Sequence, residues 1–353
     1  MSEVHWKWFD RRFFPLLLIL FAFVVLYSLH VWPDVMAPLW AALIMAYLLN
    51  PLVYAAERLK VPRPCSVAVL VGSLLCVGSA LVFGIAPEVW RQAQAFVAAM
   101  PDMVVKGQGY LASLPDLLPG LVTTEQIERL VQTLEQQLLD VFDDVLAVSL
   151  VGVKGVFQFL AYAIIVPMMV FFLLKDHHLL LAGIRPWFAK DAVFWGEVWH
   201  ELDRQWLGYL RGKIIECVLM SIACYLLFQW FQLPYALLLA LLVGLSVFAP
   251  YIGIAVVSVP VVVTVIAQFG TEGVAMNLLI GYVVLQLIDA YVLVPLLFAA
   301  LVNVGPFYIL LSILMFGSIA GFWGVLLAIP LASLCAVALS MQRRMLDQGD
   351  VGS

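Results

Sequence analysis

Long apolar runs separated by short polar stretches dominate the chain. Seven runs reach the length of a membrane crossing, at about 13–32, 35–55, 65–87, 149–174, 213–232, 275–298 and, as a composite, 306–340. An α-helix needs roughly 20 apolar residues to cross the hydrocarbon of a bilayer. The runs show no period-two alternation, so the pattern predicts helices and excludes a barrel, whose strands alternate between lipid and lumen. With the apolar stretch 234–269 included, about eight membrane segments are predicted.

Two regions repeat one pattern. The first runs from Pro234-Tyr235 through Gly244 to Ala249-Pro250-Tyr251-Ile252-Gly253 and closes at Pro260. The second runs from Pro306-Phe307 through Gly317 to Gly321-Phe322-Trp323-Gly324 and closes at Pro330. Each has a Pro-aromatic start, two apolar arms of roughly 10–16 residues and a Gly/Pro/aromatic centre, too short in each arm for a full span. Short apolar segments interrupted by Gly and Pro in matching positions of two halves point to a transporter's binding site.

Composition narrows the class. The chain has 353 residues, 65% of them apolar and only 12% charged, with a mean hydropathy of +1.06. Soluble domains do not hide that much apolar surface, so an all-α polytopic membrane protein is expected. Arg11-Arg12 before the first run resembles the start of a signal peptide, but the run is long and lacks a small-x-small cleavage site, so a retained helix is expected. The five cysteines lie in or beside apolar segments without CxxC spacing, which argues against a disulfide framework or a metal site. There is no GxSxG, HExxH, Walker A or GxGxxG pattern and no basic patch for nucleic acid. The expectation is therefore a non-enzyme with no resident cofactor.

Basic residues orient the helices. Arg11 and Arg12, Arg58, Lys60 and Arg63, the run from Lys175 through Arg185, Lys190, Arg204 and Arg211, and Arg343 with Arg344 all suit the cytoplasm. Segment 88–148 has three basic and nine acidic residues and belongs outside. The predicted organisation is three membrane helices in 1–87, an extracytoplasmic amphipathic helical segment at 88–148, a helix at 149–174 and a cytoplasmic amphipathic segment at 175–212. Two units of helix plus hairpin follow at 213–269 and 270–340, then a cytoplasmic tail at 341–353. For both termini to lie inside, each hairpin must return to the side it entered from. The two units then have opposite orientation, an inverted repeat. Within 88–148, the prolines Pro101, Pro115 and Pro119 divide the first part into at least two pieces. Thr123 and Gln126 form a capping box ahead of an apolar face from Ile127 to Val141. Trp187, Trp195, Trp199 and Trp206 suit headgroup depth.

Asp289 is the sharpest candidate for chemistry. A carboxylate inside an apolar helix costs about 2.5–3.5 kcal/mol on insertion scales and normally faces a cavity, a partner or an ion path. Gln286 and Tyr282 share its helix face, and Pro295 follows it. A structural hydrogen bond to opened backbone in a neighbouring hairpin is the alternative for Asp289. Lys213 and Glu216, spaced to pair with each other, mark the expected start of the helix at 213–232 and could snorkel to its cytoplasmic end. The hairpin centres at Pro250, Tyr251 and Gly253 and at Gly317, Gly321 and Gly324 free backbone groups at membrane depth, unless they are plain turns. Asn303 precedes the second hairpin and serves a ligand or a turn.

Val170-Phe-Phe-Leu-Leu-Lys175-Asp176, Val247-Phe-Ala-Pro250-Tyr251-Ile252-Gly253, Gln286-x-x-Asp289, Val294-Pro295-Leu-Leu-Phe298 and Gly321-Phe322-Trp323-Gly324-x-x-x-Ala328-Ile329-Pro330 resemble the autoinducer-2 exporter family, closest to its PerM-type permeases. The resemblance covers the whole chain and is strongest over 160–338. It implies an inner-membrane homo-oligomer, a pentamer in the form it suggests, linked to efflux of small signalling molecules or to sodium/proton exchange. It also implies an elevator-like core of two inverted hairpins. Ala249 stands before Pro250 where the family's first tip is often richer in proline. The expected function is alternating-access transport of a small polar molecule across the bacterial inner membrane, with coupling to protons or sodium. A sodium/proton antiporter and a non-transporting membrane scaffold are the alternatives.

Overall fold

The computed structural model of the chain describes residues 31–112, 152–184, 192–270, 273–298 and 307–333, save 320, 322–323, 326 and 330, and also 24, 27 and 28. Among the described residues there is helix and turn but no strand. The elements are α1 (Pro33–Arg58), α2 (Arg63–Gly84), α3 (Ala86–Ala112), α4 (Gly152–Lys175), α5 (His177–Ile184), α6 (Ala192–Trp230), α7 (Ala236–Ser246), α8 (Ile252–Phe269) and α9 (Gly273–Ile288). A π-helical turn at Asp289–Leu293, α10 (Val294–Phe298) and the apolar helix α11 (Phe307–Ile319) complete them. Four described helices are long and apolar enough to cross a membrane, at Asp34–Arg58, Arg63–Met103, Ile252–Phe269 and Gly273–Phe298. A fifth span arises if Leu160–Lys175 is joined to His177–Gly183 across its 70° bend. The chain is a multi-pass membrane protein, as its hydropathy requires.

The chain divides into two compact units. The first comprises 1–72, 165–213 and 296–353, and the second 73–164 and 214–295. In the first unit, Ala42, Ala46 and Val53 of α1 pack with Val67 and Val71 of α2 and with Val170 and Leu174 of α4. Leu327 and Leu331, past the second tip, pack with Phe316 and Ile319 of α11 and with Met36, Trp40 and Ile44 of α1. In the second unit the core joins α6, α7, α8 and α9 around Phe228, Leu239, Val265 and Leu278, all fully buried.

Several sequence boundaries shift. The helix expected to begin near 213 starts at Ala192 and runs without a break to Trp230, 39 residues in all. Lys213 and Glu216 therefore lie within it rather than at an end from which they could snorkel. Pro101 does not divide its segment but sits inside α3. An interior proline costs a helix about 3 kcal/mol. Here the packing of Phe96, Met100 and Met103 against Tyr235, Leu238, Val263 and Ala267 offsets it. Pro260 likewise lies inside α8 and does not close the first hairpin. The 275–298 helix is not uniform, because its ladder widens at Asp289. The helix expected from Thr123, Asn303 and the 341–353 tail lie outside the described residues.

Candidate functional site

Tyr282 and Gln286 lie on α9, and Asp289 follows directly in the π-helical turn. Tyr282, Gln286 and Asp289 are spaced i, i+4 and i+7, which places them on one helical face. Asp289 is 2% exposed and opens the π-helical turn, where the N–H of Val294 donates to the carbonyl of Asp289 five residues back. The following residue, Pro295, has no N–H, and its ring would clash with the carbonyl four residues before it. One extra residue in the turn relieves that conflict. Single π-helical turns inside α-helices occur often at functional sites.

The stripe has partners within the second unit. The Tyr282 hydroxyl lies 2.9 Å from the Ser258 hydroxyl on α8 and is close enough to Gln286 to interact with it. The carboxamide oxygen and nitrogen of Gln286 are both shut away from solvent. Cys224 of α6 is near enough to Asp289 to feel its charge, and Phe228, one turn on, stacks obliquely on Tyr282 with ring centroids 6.1 Å apart. Glu216, two turns before Cys224, is also 2% exposed. A buried carboxylate of this kind must be held by hydrogen bonds, opposite charge or a proton.

The first hairpin turns tightly beside this helix layer. α7 ends at Ser246, and Pro250, Tyr251 and Ile252 form a γ-turn in which the Ile252 N–H donates to the Pro250 carbonyl at 2.7 Å. Tyr251 at its centre has φ 65° and ψ −51°, a conformation rare and strained outside glycine. Gly253 then approaches the end of α7 so closely that a Cβ on it would collide with the carbonyl of Ser246. At the start of α7 no side chain caps the helix from Tyr235. Gln92 of α3 takes that role, its oxygen accepting the Leu238 N–H at 3.1 Å while its nitrogen donates to Glu88 at 2.7 Å. Glu88, in the first turn of α3, also accepts two hydrogen bonds from the Arg91 guanidinium, at 2.6 and 2.8 Å.

The remaining candidates belong to the first unit. Lys213 is 6% exposed, and its ammonium lies over the Phe298 ring, 5.3 Å from the centroid. In the second hairpin Gly321 adopts φ 54°. A Cβ on Gly324 would collide with the Phe316 carbonyl, and Gly317 packs beside Val325. Both hairpins thus share a positive-φ tip followed within three residues by a glycine pressed on a carbonyl of the preceding arm. Sequence reading missed one constellation here. Tyr47, Asn50, Tyr54, Glu57 and Arg58 occupy the last three turns of α1 and line a cavity with His177, Trp199 and Asp203. The spacing of three, four and three residues from Tyr47 through Asn50 and Tyr54 to Glu57, along an otherwise apolar helix, was the available signal. Among the described residues no group of three or more His, Cys, Asp or Glu could hold a metal ion.

Comparison with known proteins adds to this geometry. A family model described as AI-2E family transporter matches residues 14–344. The chain is 35% identical over 340 residues to the "Putative permease PerM" of Escherichia coli (strain K12), covering 95% of this chain and 96% of that one. It is 25% identical over 345 residues to the "Putative transport protein YueF" of Bacillus subtilis (strain 168), covering 93% and 90%.

Proposed function

The chain belongs to the AI-2E transporter family, and on that premise we propose that it is a secondary transporter of the bacterial inner membrane that moves a small polar molecule by alternating access. The observation that carries this reading is Asp289, 2% exposed, at a π-helical turn in an apolar helix and on one face with Gln286 and Tyr282. An ionisable group in that setting is costly to insert and marks an ion or substrate path by default. Asp289 binds a cation or proton, or orients the substrate, and Glu216 and Lys213 are the further charged groups of the path.

The shared tip geometry of the two hairpins supports an inverted repeat, with the hairpins and the helices preceding them as an elevator-like carrying core. Tips whose glycines touch carbonyls let two arms close without side chains between them and free backbone groups to meet a solute. Both termini lie in the cytoplasm, following the Lys and Arg bias, and copies of the chain assemble as a homo-oligomer. The buried carboxylate also favours a second reading, sodium/proton antiport, in which Asp289 is the titrating group.

Flux into proteoliposomes tests both readings. Small polar solutes, sodium and protons are followed under imposed sodium and proton gradients. Gradient-driven movement of a solute supports the first reading, and exchange of sodium for protons alone supports the second. A well-folded protein that moves none of these across a broad solute panel defeats both.

A further inference from the structure

The first unit contains a cavity of about 830 Å³ lined by α1, α5 and α6, within the roughly 300–1,000 Å³ range of small-ligand pockets. It draws on none of the residues of the second unit. Its position follows from chain chemistry. The apolar span of α1 ends at Arg58, so Tyr54, Glu57 and Arg58 lie at its polar end, the depth at which Tyr and Trp rings meet lipid headgroups. Trp199, 63% exposed, supplies such a ring from α6.

The lining has two signs of charge. The single Tyr47 O–H is shared between Asp203 Oδ1 at 2.7 Å and the Asp203 backbone carbonyl at 2.9 Å, which ties this carboxylate to α1. Glu57 is the second carboxylate and is bridged by Arg63 at 3.1 Å. Arg63 is a fastener rather than a ligand group. Its guanidinium also donates to Asn50 at 3.0 Å and to the Leu174 carbonyl at 2.8 Å, and it covers one face of the Tyr54 ring at 5.3 Å. Arg58 is exposed at the rim and is a cation facing the cavity without a role in that fastening.

We propose that this cavity binds a zwitterionic head bearing an ammonium and a phosphodiester, the chemistry of a phosphatidylethanolamine headgroup. The ammonium sits among Asp203, Glu57 and the rings of Tyr47 and Trp199, where carboxylates and aromatic faces both attract it. The phosphodiester meets the Arg58 guanidinium, which suits it by charge and by its fork of donors. A purely anionic head would place its charge against Asp203 and Glu57. A pocket of this size has room for the glycerol backbone beyond the head.

The test is calorimetric binding to the delipidated full-length protein in detergent. The probes are dihexanoyl phosphatidylethanolamine, dihexanoyl phosphatidylglycerol and glycerophosphoethanolamine, the last being the same head without acyl chains. The proposal expects phosphatidylethanolamine to bind about tenfold or more tightly than phosphatidylglycerol, and Asp203→Asn and Arg58→Gln each to remove most of that preference. Arg58→Gln alters an exposed residue, so it reports on binding even if Asp203→Asn disturbs the Tyr47 contact and the fold. Glycerophosphoethanolamine bound as tightly as the lipid, with the same dependence on both variants, assigns the site to a soluble head. Weaker binding of that probe assigns it to the lipid. Equal affinity for the two lipids, or full retention of the preference in Arg58→Gln, overturns the proposal.

Discussion

Gly253 rests on the carbonyl of Ser246, with no room between them for a Cβ. The contact closes the first hairpin, and Gly324 repeats it on the Phe316 carbonyl in the second. Substituting either glycine by alanine forces backbone apart at a tip. Each variant should lose about 1–3 kcal/mol, the usual cost of overpacking, and its flux should fall. Thermal unfolding in detergent beside flux per folded protein checks this. A Gly253→Ala protein as stable as wild type would show that the tip yields freely and that the close approach is dispensable.

Tyr251 gives the same tip a second signature. It is 58% exposed, and its φ of 65° is disfavoured for any residue with a Cβ. Removing the Cβ should relieve strain of order 1–3 kcal/mol, partly offset by the greater freedom of glycine in the unfolded chain. Tyr251→Gly is expected to keep or raise the melting temperature, whereas Tyr251→Val should lower it, since a branched side chain tolerates positive φ worst. Equal losses in both variants would mean that the exposed ring, and not the backbone, matters for stability.

Gln92 connects α3 to the uncapped start of α7 by accepting the Leu238 N–H. Gln92→Leu keeps the bulk but leaves that amide without its acceptor. A loss of about 1 kcal/mol is expected, similar to removing a helix N-cap. Native-state hydrogen exchange at Leu238 provides a local readout, and protection unchanged from wild type would contradict the assigned role.

The helical class and the spans beginning at α1, α2 and α9 were legible because apolar length is a direct consequence of bilayer thickness, but α8, expected as a hairpin arm too short to cross, is itself long and apolar enough to do so. Asp289 was legible for the same reason, since a carboxylate in such a run stands out. The π-helical turn was not. It depends on how the ladder accommodates Pro295, and a proline alone permits a kink, a stop or a widened turn. The long α6 was also missed. The charged residues between Ala192 and Lys213 interrupt the apolar pattern, yet charge does not end a helix, and the stretch from 192 to 230 contains no proline. The cavity beside α1 escaped because its residues come from elements distant in sequence, such as Tyr47 and Asp203. In sequence Arg58 and Arg63 serve equally well as markers of orientation, which hides their place beside the cavity.

The central claim is that Asp289 lines the transport path. Its buried position on one face with Gln286 and Tyr282 allows a direct separation of function from folding. Asp289→Asn keeps nearly the same volume and one acceptor while removing the charge. The decisive measurement is flux per folded protein in proteoliposomes, for wild type and Asp289→Asn, across one panel of small polar solutes with sodium and proton gradients imposed in turn. The account predicts a variant that assembles and melts as wild type does but has lost transport or its dependence on the ion gradient. A well-folded Asp289→Asn protein that moves every solute wild type moves, with the same ion dependence, would contradict it.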